Sequence, residues 1–191
     1  MRSENDRPIV FGYASTFEPY LLYEDRDSGY QWYEQIMPTA FDDTDMSDVV
    51  FLKDHTGTVL ARTKNGSLEV GIDAHGLYSK TDLTRTAAAR EMLEEIQTGN
   101  YTQMSFSFVI ANAGDRFEEE GMRITRYIDK IQKLYDVSAV AFPANPGTDI
   151  GVSYRDLFNG VIEAREAERL KAIRSRELLK LKLRIAKEKN K

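Results

Sequence analysis

The chain has no cysteine among its 191 residues. Disulfide staples, thiol nucleophiles and cysteine-ligated zinc are therefore excluded. It has two histidines, His55 and His75, and no His-x-x-x-His pair. It also has no calcium-loop spacing, so no metal is expected. A glycine-rich phosphate loop is missing, and nothing else calls for a cofactor. No run approaches the ~18 apolar residues of a membrane span, and residues 1–8 lack an apolar signal core. A soluble, cytosolic protein is expected. There is no internal repeat and no low-complexity block.

What is present is enough apolar content, 41%, to build a real core. The formal net charge of −5 hides an asymmetry. Residues 160–191 carry 11 Lys/Arg against 5 Asp/Glu, and residues 1–159 carry 15 against 26. An acidic body with a basic tail divides the chain into residues 1–153 and residues 154–191. The tail has no Pro or Gly from residue 163 onward and is dense in Ala, Leu, Glu, Lys and Arg. It reads as a basic helix, with Leu170, Ile173, Leu181 and Ile185 as an imperfect stripe broken at Glu177. Such a helix suits a partner or a second copy of itself, and the alternative is a solvated tail. It lacks interleaved aromatics, so nucleic acid is not an expected partner.

The body alternates short apolar runs with turn residues. Strands are expected over residues 8–17, 30–37, 49–52, 59–63, 68–73, 77–82, 103–110, 122–131 and 134–142. The second of these is followed by a turn-rich stretch, residues 38–48. A turn is expected at Thr56-Gly57 and a hairpin around Ala74-His75-Gly76. Acidic loops are expected at residues 23–28 and between Gly114 and Gly121. Residues 86–98 form the one clear helix of the body. Gly99 closes it, and Ala89, Met92, Leu93 and Ile96 lie on one face. The pattern implies an α+β fold: a mainly antiparallel, β-barrel-like core with one or two packed helices.

Gln103-Met104-Ser105-Phe106-Ser107-Phe108 is the most informative stretch. Met104, Phe106, Phe108 and Ile110 point one way, and Ser105, Ser107 and Val109 the other. A rigid strand is a good mount for a nucleophile, because attack needs tight geometry. A serine needs a base. His75 lies in a predicted turn and reads as structural. His55 ends an apolar strand, where burial and hydrogen bonds can tune its pKa. The base needs an orienting group. Asp136 is a lone carboxylate at the start of an apolar strand; Asp54, Asp73 and Asp82 compete with it.

These residues also carry a resemblance. Phe11-Gly12-Tyr13-Ala14-Ser15-Thr16-Phe17 opens it. Glu34-Gln35-Ile36-Met37-Pro38-Thr39-Ala40-Phe41 follows, with Thr39 where glycine is usual. Val50-Phe51-Leu52-Lys53-Asp54-His55 with Leu60-Ala61-Arg62 is similar to a histidine motif. Met104-Ser105-Phe106-Ser107-Phe108 is similar to a serine motif, with Ser107 where glycine is common. Asp136-Val137-Ser138 and Pro143-Ala144-Asn145-Pro146 close it. In this order the chain resembles the tailed-bacteriophage prohead (procapsid) maturation proteases, serine peptidases similar in fold to the herpesvirus assembly protease. The resemblance implies Ser105 as nucleophile, in preference to Ser107, His55 as general base and Asp136 at the acidic position. It implies a serine endopeptidase that cleaves capsid and scaffold protein segments, and itself in some settings, inside an assembling procapsid in the bacterial cytoplasm. The competing expectation is a non-catalytic, tube-like assembly protein on a related β fold. A small-molecule esterase is a third, and it would need a deep apolar pocket.

Overall fold

Alternating apolar and polar residues fold residues 7–154, the part this computed structural model describes, into twelve strands and one α-helix. The expected tail helix lies outside the described residues. The strands are β1 (Pro8–Thr16), β2 (Tyr20–Glu24), β3 (Gln31–Ile36), β4 (Val50–Lys53), β5 (Thr56–Arg62), β6 (Leu68–Ile72) and β7 (Gly76–Thr81). After the helix α1 (Ala87–Gln97) come β8 (Gln103–Ile110), β9 (Asp115–Glu120), β10 (Arg123–Ile128), β11 (Ile131–Val140) and β12 (Asp149–Tyr154).

They form three four-stranded sheets, ordered β12-β1-β7-β6, β2-β3-β10-β9 and β5-β4-β11-β8. Most neighbours are antiparallel, but β3 runs parallel to β10 and β4 parallel to β11. The sheets do not close into the expected barrel. The start of β8 shows why. Met104 N–H donates to the Thr148 hydroxyl, and Ile150 N–H donates to the Thr102 carbonyl. Side-chain and loop bonds occupy groups that a closing ladder would need.

Three strands differ from the sequence reading. β2 begins ahead of an expected loop, β9 replaces an expected acidic loop, and β12 was not anticipated. All three are edge strands. β2 and β9 expose most of their residues and need no apolar alternation, whereas β12 turns Ile150 and Val152 to the core. The residues of β9 are Asp-Arg-Phe-Glu-Glu-Glu, mostly exposed. Its register with β10, not its hydrophobicity, makes it a strand.

The helix behaves as its composition predicts. The Thr86 hydroxyl caps it by accepting the Ala89 N–H at 3.1 Å. Ala89, Met92, Leu93 and Ile96 are the buried face. At its end Gly99 takes a φ of +79°. Gly99 N–H then bonds the Ile96 carbonyl, and Asn100 N–H the Glu95 carbonyl. That paired closure turns the chain sharply into Tyr101 and β8.

β8 and β11 sit against the core. Met104, Phe51, Leu134, Val137 and Ala139 are fully buried, with Phe106, Phe108 and Ile110 packed beside them. Phe106 and Phe108 stack at 4.6 Å, as side chains two apart on one face of a strand must. β1 crosses this layer closely at Gly12. A Cβ there would sit 2.2 Å from the Asp149 carbonyl and 2.8 Å from Met104 Sδ. The backbone clash leaves little room to relax. Gly12→Ala is expected to cost about 1–3 kcal/mol by overpacking, seen as a lower thermal midpoint; an unchanged midpoint would contradict this packing.

Candidate active site

The site is built on the central part of the β5-β4-β11-β8 sheet. β11 lies between β4 and β8, so its second half, Asp136 to Val140, is buried on both faces. Asp136 is 6% exposed. A carboxylate there is costly without partners. It has two on the same oxygen. Ser138 donates its hydroxyl to Asp136 Oδ1 at 2.7 Å, and His55 Nδ1 meets that oxygen at 2.7 Å. Ser138 is two residues along the strand and so shares the face of Asp136.

His55 reaches Asp136 from a turn. β4 and β5 pair as a hairpin with Lys53 opposite Thr56. Asp54 and His55 are its two central residues, at φ +48° and +58°. The turn is therefore one residue pair earlier than the Thr56-Gly57 position the sequence suggested. Two consecutive positive φ values suit the twist of a two-residue hairpin. They cost roughly 1–2 kcal/mol for each non-glycine residue, a strain of the kind that collects at functional sites. His55 thus does not end a strand at the rim of the core; it projects from a hairpin tip, with its side chain a third exposed.

The register sets the serines. Across β11, Ser105 lies opposite Ser138, and Ser107 lies opposite Asp136. On the other side Ser138 is level with Leu52, and Ala139 with Lys53. Ser105, Ser107, Ser138 and Asp136 thus share one face. Directly paired side chains on such a face start about 5 Å apart. The His55 backbone lies past the Ala139 row, and its ring meets Asp136 three residues back along β11. The imidazole therefore spans the Ser138 row, on which Ser105 stands. His55 and Ser105 are not hydrogen-bonded to each other. Among the described residues, neither His55 Nε2 nor the Ser105 hydroxyl has a hydrogen-bond partner.

The structure separates the competing carboxylates. Asp73 accepts the Tyr13 hydroxyl and the backbone N–H groups of His75 and Gly76. Asp82 is engaged by Thr84 and Arg85. Asp54 holds Tyr101 and Ala141. Only Asp136 touches the His55 ring among the described residues. His75 packs edge-on against Tyr13, 4.5 Å between ring centres, away from this face. Sequence reasoning missed Ser138 as the second partner of Asp136. The signal was there, since Asp136 and Ser138 are two apart in a strand. No group of three or more Asp, Glu, His or Cys among the described residues could hold a metal.

The electrostatics follow from this packing. The hydrogen bond donated to Asp136 raises the His55 pKa above 6.5, partly opposed by burial; the charges of Asp136 and Asp54 add to the rise. With Asp136 as acceptor, Nδ1 carries the proton and Nε2 offers its lone pair outward. That is the arrangement of a general base. Asp136→Asn should lower the His55 pKa, measured by NMR titration of the His55 ring. An unchanged titration would contradict the contact.

Among solved structures the chain is similar to the KSHV protease, in a crystal structure with a hexapeptide phosphonate inhibitor. Identity is 13% and the TM-score 0.48, over 88% of this chain and 76% of that one. No curated protein matches the chain in sequence. A family model described as caudovirus prohead serine protease matches residues 1–160. The chain belongs to the caudovirus prohead serine protease family.

Proposed function

We propose that this prohead serine protease is an endopeptidase of Ser-His-Asp type, with Ser105 as nucleophile, His55 as general base and Asp136 as orienting acid. The observation that carries the reading is the 2.7 Å bond between His55 Nδ1 and Asp136 Oδ1. It leaves Nε2 as the base, one strand from Ser105. Its substrates are segments of the phage capsid and scaffold proteins, met inside the procapsid in the host cytoplasm. Among the described residues no helix is long and apolar enough to cross a membrane.

In the first step Ser105 Oγ attacks the scissile carbonyl while His55 Nε2 takes its proton. Asp136 stabilises the imidazolium that forms, and backbone N–H groups stabilise the oxyanion. His55 then gives its proton to the leaving amine. Water, deprotonated by His55, hydrolyses the acyl-enzyme and frees Ser105. The Ser105–His55 bond closes when substrate docks; catalytic bonds are often open in the free enzyme.

The register supports Ser105 over Ser107. Ser107 stands two residues farther along β8, opposite Asp136, the acid that holds Nδ1 and not Nε2. Co-expression with the matching capsid protein tests this. Ser105→Ala is expected to lower processing by roughly 10⁴-fold or more, with Ser107→Ala retaining it. Full processing by Ser105→Ala would overturn the assignment.

The pH dependence has a definite sign. A general base works when neutral, so kcat/KM should rise with pH through a midpoint above 6.5, the direction in which Asp136 shifts His55. Stability should run the other way. The protonated His55–Asp136 pair contributes fully below the unfolded-state pKa near 6.5 and is lost as pH rises through the higher folded value. An acid limb centred below 6.5 would contradict the assignment.

A further inference from the structure

Asp54 stands next to the base in sequence, yet its carboxylate does not touch the His55 ring. Both of its oxygens are used elsewhere. Oδ1 accepts the Ala141 N–H at 3.1 Å, and Oδ2 accepts the Tyr101 hydroxyl at 2.7 Å. Its own N–H donates to the Ala139 carbonyl at 3.0 Å. Ala139 and Ala141 mark the end of β11, the strand that carries Asp136. Tyr101 lies just before β8, the strand that carries Ser105. Tyr101 is held in turn by the Lys53 ammonium, 4.7 Å above its ring. One side chain in a strained hairpin tip therefore reaches both strands that bear the other proposed groups.

The geometry matters because the tip has little else to hold it. Residues 53–59 are exposed, and Asp54 and His55 both keep positive φ. The tip carries the His55 backbone, and the ring is held at its far end by Asp136. A shift of the tip toward or away from β11 would move Nε2 relative to Ser105. A misplacement of about 1 Å can cost 10²-fold in rate.

We propose that Asp54 is a positioning residue. Its bonds to Tyr101 and Ala141 tether the β4–β5 tip to β11 and to the start of β8, fixing the His55 ring over the Ser138 row. The tether also explains why Asp54 need not compete with Asp136 for the imidazole: it acts on the backbone that carries the ring. The proposal rests on His55 being the general base, and one arm of its test does not.

Asp54→Gly keeps positive φ free of strain and removes both carboxylate bonds. Asp54→Asn tolerates positive φ and keeps an acceptor. Tyr101→Phe removes one bond and leaves the turn untouched. The expected result is a fall in kcat on the order of 10–100-fold for Asp54→Gly, with KM within about twofold of the wild type. Tyr101→Phe should fall less, and Asp54→Asn should recover most of the rate. In parallel, the downfield His55 Nδ1 proton signal should broaden or weaken in Asp54→Gly and Tyr101→Phe. That NMR arm needs no catalysis, so it decides the tether even if the wild type cleaves nothing and the protease reading fails. If Asp54→Gly does not fold, Tyr101→Phe carries both readouts. Variants that melt earlier but keep wild-type kcat and an unchanged His55 signal would overturn the proposal and leave Asp54 a purely structural residue.

Discussion

A buried carboxylate on a central strand is the constraint on which the rest of this site depends. Asp136 is 6% exposed, with β4 on one side of its strand and β8 on the other. Unpartnered, it would destabilise the fold or lose its charge. Ser138 and His55 supply the partners, both at 2.7 Å. Satisfying the acid has chemical consequences. It selects the Nδ1-protonated imidazole, turns Nε2 outward and raises the affinity of His55 for a proton. The same bond that satisfies the buried acid prepares His55 for its proposed role as base.

The sheet then places the other groups by register. Because β4 runs parallel to β11, its end and the hairpin beyond it fall past Ala139, and the His55 ring must reach back over the Ser138 row. Because β8 runs antiparallel to β11, Ser105 stands opposite Ser138. A slip of one residue in the β8–β11 ladder would turn the serines into the core and Met104 out of it. Gly12 and the Asn145–Thr148 loop guard that register, the first by allowing β1 to approach β8, the second by offering Thr148 to the Met104 N–H. On the polar face Asp136 and Ser138 are buried while Ser105 is part-exposed, and the opposite face is sealed by Phe51, Val137 and Ala139.

Much of this was legible in the sequence, and the gaps have physical causes. The alternation of Met104 to Ile110 named the serine strand and its faces correctly, because Met104 is buried and Phe106, Phe108 and Ile110 pack against the core on one face. The helix boundaries followed from Thr86 and Gly99, where local capping chemistry dominates. Edge strands were not legible: β2 and β9 are held by hairpin pairing with β3 and β10 without an apolar pattern of their own, and β12 by pairing with distant β1. Nor could the chain reveal that Asp54-His55, without glycine, forms the hairpin tip; Gly57 was the more obvious turn residue. Asp54, Asp73, Asp82 and Asp136 looked alike as orienters because only the fold decides which carboxylate meets the imidazole. The role of Ser138 depended on the same long-range contact.

The most direct measurement is covalent labelling of the purified chain with a fluorophosphonate, followed by intact mass and peptide mapping. An activated serine displaces fluoride and keeps the phosphonyl group, so the adduct marks the nucleophile. The arrangement of Ser105, His55 and Asp136 predicts a single adduct on Ser105 that disappears in His55→Ala and is slowed in Asp136→Asn. An adduct on Ser107 or Ser138, or labelling that does not depend on His55, would contradict it.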